Sequence, residues 1–416
     1  MRIILGTSLL LCFVILFTGC EEQRQRPAFQ YDFNNPTDIG SRYPNLYQDS
    51  DGLIYMSWLT GIEENIYALQ YTTLKDRRWT MPVTVRVATN FFVNWADFPS
   101  VVGKDGAAVA AHWLRKVEGG TYAYHVDIAF PEADGRDWSS VITPHLDDTP
   151  TEHGFVSLEP ISEDRILAIW LDGRHTDGRG HHEYEDMDKA MTLRSAEVSA
   201  AGEVIRKRVI DNAVCDCCQT DLVAVDDGFI AVYRNRTDDE IRDIYITKYS
   251  LETGEWSEPR AVWNDGWEIR ACPVNGPRVI ADGNNVAVAW YTAADDESKV
   301  LLAVSADGGE TFNEPILIAS ENTVGRADLL FGAEGSVYVS WMNRTNELGN
   351  ILIREVRADG ELGEPIRAGV TSSSRSSGFP RIKLDGDEIF VAWTQTEPQL
   401  RIRTARIPVQ DFNQQL

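Results

Sequence analysis

A repeated pattern of apolar and turn residues is the feature that most restricts how this chain can fold. Each unit has a short apolar segment, a turn rich in Asp and Gly, and an alternating apolar segment ending on an aromatic residue. Seven such aromatic residues occur, 51 to 63 residues apart: Trp58, Trp113, Trp170, Tyr233, Trp290, Trp341 and Trp393. This period is typical of a propeller blade, and short alternating segments between turn signals favour strands over helices. We therefore predict an all-β fold, a β-propeller of four-stranded antiparallel blades.

The number of units predicts the number of blades and how the ring closes. Seven units indicate seven blades, and six blades is the alternative if one weak unit is not a blade. The last unit ends after its third segment, at 400–409, whereas the segment 29–33 has no unit of its own. An unpaired strand edge would favour association. We therefore expect residues 37–416 to form one propeller domain, with the N-terminal strand at 29–33 closing the last blade.

Composition and charge exclude some classes of protein. Hydrophobic residues make up 43% of the 416 residues, enough for a large core and too many for a disordered chain. The formal net charge is -25, so the overall field repels phosphate backbones. Nucleic acid is therefore not an expected partner.

The start of the chain has the pattern of a targeting segment. Arg2 precedes an apolar run that ends in Phe17-Thr18-Gly19-Cys20. This ending resembles the lipobox of bacterial lipoproteins. The resemblance implies a signal peptide at 1–19, a lipid anchor in the membrane on Cys20, and a polar tether at 20–36. Glu21 and Glu22 resemble an outer-membrane sorting signal, which implies the bacterial cell envelope, on its periplasmic or surface face. An ordinary secreted protein with a leftover cysteine is the alternative.

One segment in the fifth unit carries a resemblance to a known repeat. The residues from Ser305 to Phe312 match the Asp-box of the bacterial neuraminidase repeat, Ser-x-Asp-x-Gly-x-Thr followed by Trp or Phe, at the positions Ser305, Asp307, Gly309, Thr311 and Phe312. In this turn the Asp accepts backbone hydrogen bonds and the glycines take positive φ. The chain therefore resembles the sialidase-like β-propellers, which implies a fold and not a chemistry.

Four cysteines lie in two loops that lead into neighbouring units. Loops entering the first strands of propeller blades meet at one mouth of the channel, so we expect these side chains to converge. The residues concerned are Cys215, Cys217 and Cys218 before the fourth unit, Cys272 before the fifth, and His153 before the third.

Reduced thiolates with an imidazole suit copper(I) or zinc. Two disulfides, which an oxidising envelope favours, and a redox-active thiol pair are the alternatives. In the disulfide alternative, Cys272 bonds Cys217 or Cys218, because these two adjacent residues pair poorly with each other.

Arginines recur in the loops that follow the second segments of the units. They are Arg115, Arg174, Arg234, Arg236 and Arg344. If they converge at the channel mouth they would hold a carboxylate, as in an acidic sugar. The alternative is that each arginine ties down its own loop through carbonyl groups and neighbouring acids.

The sialidase resemblance implies a second set of candidates. Sialidases bind the substrate carboxylate with three arginines, one of them in a Phe-Arg-Ile-Pro-like motif, and use a Tyr with a Glu as nucleophile and an Asp as acid/base. Ser41-Arg42-Tyr43-Pro44 resembles this motif, with Arg42 in register. If the chain is a hydrolase of this type, the resemblance implies catalytic roles for Arg42, Arg234, Arg236, Arg344, Tyr291, Glu268 and Asp97.

The histidines give weaker indications. The insertion at 172–186 contains His181, His182, Glu183 and Asp186, which suit zinc, a lid over the mouth, or a solvated loop. His112 alternates within a strand and is expected to be a core residue. His125 and His145 predict nothing specific.

Two functions of different classes follow from these patterns. The first is a binding protein that acts through a metal or through thiols, with Cys215, Cys217, Cys218, Cys272 and His153 as ligands. The second is a sialidase-like glycoside hydrolase or lectin, in which the arginines hold an acidic sugar and the cysteines are disulfide staples. The oxidation state of the sulfurs separates them.

Overall fold

Seven antiparallel β-sheets account for most of the structure. The computed structural model describes residues 31–132, 137–178 and 187–413. The predicted signal peptide, Cys20 and the predicted tether up to residue 30 lie outside the described residues, as do His181, His182, Glu183 and Asp186. Among the residues described, no helix is long and apolar enough to cross a membrane.

The strands follow the order of the predicted units. Strand β1 is Asp32–Phe33. Blade 1 contains β2 (Ser41–Gln48), β3 (Ile54–Glu63), β4 (Ile66–Lys75), β5 (Arg78–Trp79) and β6 (Val83–Ala88). Blade 2 contains β7 (Ser100–Lys104), β8 (Ala107–Lys116) and β9 (Tyr124–Ala129). Blade 3 contains β10 (His153–Ser162), β11 (Arg165–Asp172), β12 (Met191–Ser199) and β13 (Val204–Val214). Blade 4 contains β14 (Asp221–Val225), β15 (Gly228–Arg234), β16 (Ile244–Ser250) and β17 (Arg260–Ala261).

The remaining blades continue the pattern. Blade 5 contains β18 (Arg278–Asp282), β19 (Asn285–Thr292), β20 (Lys299–Ser305) and β21 (Ile316–Ser320). Blade 6 contains β22 (Thr323–Phe331), β23 (Val337–Thr345), β24 (Leu348–Val356) and β25 (Ile366–Ser372). Blade 7 contains β26 (Arg381–Asp385), β27 (Glu388–Gln395) and β28 (Arg401–Pro408), and a short helix α1 (Gln410–Asn413) follows it. Short 3-10 turns occur at Met187–Lys189, Ala294–Asp296, Ala333–Gly335 and Arg375–Ser377.

The N-terminal strand closes the ring. In the sheet of blade 7 the order is β1-β28-β27-β26, and Asp32 and Phe33 pair antiparallel with Ala405 and Thr404. The ring of Phe33 packs between Trp79 of blade 1 and Phe390 of blade 7. The seven-bladed propeller with an N-terminal closing strand is therefore confirmed, and the six-bladed alternative is wrong.

The aromatic residue of each unit is buried within the second strand. Trp58, Trp290 and Trp393 are at most 1% exposed. The indole N–H of Trp58 donates to Thr60 Oγ1 at 2.9 Å, and that of Trp170 donates to Asp172 Oδ2 at 2.8 Å. A buried indole needs an acceptor for its N–H, so these two tryptophans hold the residue two positions further along their strands.

The first strands of the blades surround the channel. Residues from six of these strands, β2, β7, β10, β14, β18 and β26, line one internal cavity of about 160 Å³. Neighbouring blades are joined by buried carboxylates that accept backbone N–H groups. Asp97 accepts from Phe155 at 2.8 Å, Asp221 from Val279 at 2.8 Å, and Asp328 from Ile382 at 2.9 Å. The loops that enter these strands are thereby held together at one mouth.

The turn between β20 and β21 is held by side-chain hydrogen bonds. Asp307 accepts from the backbone N–H of Thr311 at 2.9 Å and from its hydroxyl at 2.6 Å. The Ser305 hydroxyl donates to Asp307 and accepts from the N–H of Gly309. Gly309 has φ +83°, a conformation that an L side chain rarely adopts.

Candidate functional site

Three of the four predicted cysteines form a compact thiol cluster between β13 and β14. The sulfur atoms of Cys215, Cys217 and Cys218 lie within 4.8 Å of one another. The distance from Cys215 Sγ is 2.8 Å to Cys218 Sγ and 4.0 Å to Cys217 Sγ. Cys215 is held in place because its backbone N–H donates to the carbonyl of Arg234 at 2.9 Å.

The fourth cysteine reaches this cluster from the next blade. Cys272 lies in the loop before β18, and its thiol is hydrogen bonded to that of Cys217. Cys215 and Cys218 are buried, Cys217 is half-buried and Cys272 is exposed, and all four are free thiols. The two cysteine loops therefore meet as the sequence predicts. Cys215 and Cys218 lie on the buried side of the cluster, and Cys272 lies on the side that is open to solvent.

Two buried arginines set the electrostatics of the cluster. Arg242 Nη1 lies 3.7 Å from Cys215 Sγ. Burial raises the pKa of the Cys215 thiol, but hydrogen bonds from Cys217 and Cys218 and the charges of Arg242 and Arg234 bring that pKa well below its usual range. Burial raises the pKa values of Cys217 and Cys218, and their thiol neighbours raise them further overall. Cys215 is thus the thiol that ionises first.

The Arg242 guanidinium is itself fixed by a carboxylate. Arg242 Nη2 donates to Glu240 Oε2 at 2.8 Å, and Arg236 Nη2 donates to Glu240 Oε1 at 2.6 Å. Arg234 donates to the backbone carbonyls of Arg242 and Tyr291, each at 2.6 Å. One carboxylate shared by two guanidinium groups leaves net positive charge behind the thiols. The sequence analysis missed Arg242 and Glu240, which lie in a polar loop with no distinctive motif.

A cavity of about 440 Å³ opens onto the exposed side of the cluster. Its lining includes Cys217, Cys272, Glu152, Trp95 and Arg375. Glu152 accepts a hydrogen bond from the hydroxyl of Tyr124 at 2.7 Å. Burial raises the pKa of Glu152 to about 8, against the lowering effect of that hydrogen bond. The cavity gives small solutes access to two of the four sulfur atoms.

His153 is not brought together with the thiols. It is fully buried at the start of β10, and its ring stacks on that of His145 with centroids 4.0 Å apart. His125 lies across both rings, and the three histidines offer nitrogens within 4.8 Å of one another. Neighbouring residues of an extended chain point to opposite sides. Glu152 therefore faces the cavity, while His153 faces this separate cluster.

The predicted arginines mostly bond acids and carbonyls of their own surroundings. Arg115 pairs with Asp127 at 2.7 Å, Arg174 with Asp172 at 2.6 Å and Arg236 with Glu240. Arg234 is bonded to carbonyl groups, and Arg344 is exposed on β23. Arg115, Arg174 and Arg236 therefore have the contacts of the alternative, in which an arginine ties down its own loop.

The residues implied by the sialidase resemblance have other contacts. Arg42 packs over the ring of Tyr67 and bonds the carbonyl of Gly40. The Tyr291 hydroxyl bonds Ser298, and Glu268 is exposed. Asp97 is 2% exposed and joins two blades through the Phe155 N–H. Burial raises the pKa of Asp97 to about 7. These contacts give Asp97 a role in holding the channel mouth together.

His112 has the predicted core position. It is 1% exposed, and its Nδ1 lies 2.7 Å from the hydroxyl of Ser100. Burial lowers the pKa of His112 to about 3. The ring is therefore neutral and is part of the packing of blade 2.

Comparisons with known proteins agree with the fold. No protein-family model and no curated protein sequence matches the chain. Among solved structures, an ulvan lyase, which is a polysaccharide lyase, has 11% identity and a TM-score of 0.53, and the match covers 93% of this chain and 98% of the lyase. The NanB sialidase from Streptococcus pneumoniae has 12% identity and a TM-score of 0.45, covering 92% of this chain and 70% of the sialidase. A protein of unknown function from Dyadobacter fermentans has 13% identity and a TM-score of 0.47, covering 91% and 97%. At these identities the likeness is one of fold alone.

Proposed function

We propose that this propeller binds a soft or borderline transition metal ion, copper(I) or zinc, through its four thiols. The observation that carries the proposal is the convergence of three sulfur atoms within 4.8 Å of one another. The thiol of Cys272 is hydrogen bonded to that of Cys217. Thiolates select copper(I) and zinc over the hard cations. Four sulfur ligands match the coordination number of a structural zinc site.

The charge behind the cluster supports thiolate ligation. A metal bound by three or four thiolates carries net negative charge, and Arg242 and Arg234 both lower the pKa of Cys215 by their charge. The same guanidinium groups would stabilise the negative complex relative to neutral thiols. Arg242 is completely buried, so this interaction is little screened by salt.

Access to the cluster comes from the cavity. Cys217 and Cys272 line it, whereas Cys215 and Cys218 lie behind them. A metal would reach the two outer sulfurs first and then the inner pair. We further propose that Cys20 anchors the propeller to a membrane of the bacterial envelope, with a metal ion as the partner of the site.

An acidic glycan is the second candidate ligand, and the cavity lining is the observation that favours it. Trp95 and Tyr122 lie at the wall, and the exposed Arg375 stands over the Trp95 ring at 5.9 Å. Aromatic faces bind sugar rings, and a guanidinium binds a carboxylate bidentately. In this case the four cysteines form two disulfides, and replacing Arg375 by Ala abolishes binding of a uronic acid or a sialic acid.

The experiment is a count of thiols and metal on the same protein, purified without reductant, chelator or affinity histidines. We expect four titratable thiols after denaturation and one tightly held equivalent after loading with copper(I). The double variant Cys215→Ser/Cys218→Ser should lose that equivalent. The control variant His153→Gln should keep it, because His153 lies in the separate histidine cluster. No free thiols and no copper binding would overturn the proposal in favour of disulfides, and free thiols without copper binding would favour a redox-active pair.

A further inference from the structure

A second group of potential ligands lies apart from the thiols, between blades 2 and 3. His125 is the second residue of β9, His145 lies in the connection to blade 3, and His153 is the first residue of β10. Their exposed fractions are 7%, 4% and 0%. Three imidazoles buried in contact with one another are unusual for a core, because each ring carries a donor and an acceptor that need partners.

The hydrogen bonds of the rings fix which nitrogen carries the proton. His125 Nε2 lies 3.1 Å from the carbonyl of Thr149, and His153 Nδ1 lies 3.2 Å from the carbonyl of Thr151. His145 Nδ1 lies 3.0 Å from Asp147 Oδ2. Carbonyl and carboxylate oxygens accept hydrogen bonds only, so each of these nitrogens must donate. In the neutral rings the remaining nitrogens carry lone pairs, and these nitrogens are His125 Nδ1, His145 Nε2 and His153 Nε2.

Two of those lone-pair nitrogens are buried without a hydrogen-bond partner among the described residues. They are His145 Nε2 and His153 Nε2. His153 Nε2 also faces Asp147 Oδ2 at 3.3 Å and Asp172 Oδ1 at 3.8 Å. Acceptors facing each other in a buried site repel unless a cation lies between them. The arrangement therefore calls for a proton or a metal ion at this point.

We propose that His125, His145 and His153, with Asp147 beside them, form a second metal site that takes a divalent ion of the zinc type. In proteins a histidine that ligates a metal donates its other ring N–H to a carboxylate or a backbone carbonyl. All three rings show this arrangement. Imidazole ligands suit zinc and its neighbours in the first transition row, and three histidines leave a fourth position for a carboxylate or a water.

The surroundings agree with a divalent cation. Asp147 and Asp172 face the site with two negative charges, and Arg174 and Arg194 pair with them from outside, Arg174 Nη2 lying 3.0 Å from Asp147 Oδ2. A cavity of about 290 Å³ is lined by His145, Arg174 and Arg194.

The local chain conformation explains how one short segment supplies most of the site. His145, Asp147, Thr149, Thr151 and His153 occupy every second position, and each contributes a side chain or a carbonyl to the cluster. The chain turns beside His145, where Leu146 has φ +51°, and Asp147 holds the next turn by accepting from the Thr149 N–H at 3.1 Å. This alternation of polar residues was the signal in the sequence that would have predicted the site.

The test is a titration of the metal-free chain with cobalt(II), followed by its visible absorption. Cobalt bound by thiolates shows a sulfur-to-metal charge-transfer band, and cobalt bound by imidazoles shows ligand-field bands alone. We expect one equivalent of cobalt without the charge-transfer band. His125→Ala and His145→Ala should each lose that equivalent and keep any thiolate-bound cobalt. His112→Ala, which removes a buried histidine elsewhere in blade 2, should retain both. If the thiol cluster binds no metal, the charge-transfer band is absent, and the ligand-field bands of the cobalt bound by imidazoles are still observed.

A second measurement does not depend on whether the variants fold. In protein with isotope-labelled histidine, the nitrogen chemical shifts report the protonation of each ring nitrogen. We expect zinc to shift one nitrogen in each of His125, His145 and His153, and to leave His112 unchanged. A doubly protonated His153 that does not respond to zinc would overturn the proposal and show that a proton occupies the position between the acceptors.

Discussion

Replacing Arg242 by Met should weaken metal binding at the thiol cluster in a way that depends on pH. At 3.7 Å, a unit charge acts on the Cys215 sulfur with about 4 kcal/mol at an effective dielectric constant of about 20. That energy corresponds to about a thousandfold change in an equilibrium constant. Glu240, 2.8 Å from the same guanidinium, offsets part of this field. The remaining positive charge lowers the pKa of Cys215, and its loss predicts a roughly 10- to 100-fold weaker apparent affinity at pH values where the variant's thiol is protonated.

The fold should tolerate this change. Methionine keeps most of the apolar volume of the side chain, and Glu240 retains its hydrogen bond from Arg236 at 2.6 Å. The carboxylate is therefore not left buried and unpaired, which is the usual reason that breaking a buried ion pair unfolds a protein. The unfolding midpoint of the variant should be measured together with its affinity.

The assay is competition for copper(I) with a chromophoric chelator at several pH values. The loss should be largest below the thiol pKa of the variant and should shrink as the pH rises, because the thiol then ionises without help. Arg165→Met is the matched control, since Arg165 also shares a buried carboxylate, Glu197, with a second arginine, Arg206, which keeps that carboxylate paired. A folded Arg242→Met variant with unchanged affinity, or with a loss equal to that of the control at every pH, would refute the reasoning.

Three further predictions concern the surroundings of the site and the closure of the ring. Because burial raises the pKa of Glu152 to about 8, the folded state binds its proton more tightly than the unfolded chain does. The free energy of unfolding should therefore fall as the pH rises from about 4.5 to about 8. Glu152→Gln should flatten this part of the curve, measured by denaturant titration. Gly154→Ala should destabilise the protein by about 1–3 kcal/mol, because its Cβ would lie 2.0 Å from Asp97 Oδ2, whereas Gly120→Ala meets nothing and should leave the melting temperature unchanged. Phe33→Ala should lower stability by about 2 kcal/mol through lost packing at the seam between the first and last blades. Unchanged melting of Phe33→Ala would show that the ring closes without this contact.

The fold was predictable because its sequence signals are local and repeated. Each blade has a buried aromatic residue in its second strand, so the spacing of Trp58, Trp290 and their equivalents reports blade length directly. The closing strand followed from counting strands. The last unit lacked a fourth strand, and the segment 29–33 belonged to no unit of its own. Both inferences use spacing along the chain, which does not require knowing where side chains point.

The site was predictable in position and only partly in composition. The meeting of the two cysteine loops followed from propeller topology. The side on which His153 lies did not, because one residue of register separates the cavity from the histidine cluster. Arg242 was missed because its effect on Cys215 comes from a turn that brings it back to 3.7 Å from the sulfur. The arginines that could have converged at the channel mouth are mostly held by acids close to them, as Arg174 is by Asp172.

X-ray absorption at the copper edge tests the central claim most directly. The chain is loaded with one equivalent of copper(I), and the nearest neighbours of the metal are identified from the scattering. Ligation by the thiol cluster predicts a first shell of sulfur alone, and loss of that shell in Cys215→Ser/Cys218→Ser but not in His153→Gln. A first shell of nitrogen or oxygen, or protein that holds no copper because its four cysteines are oxidised in pairs, would contradict the account.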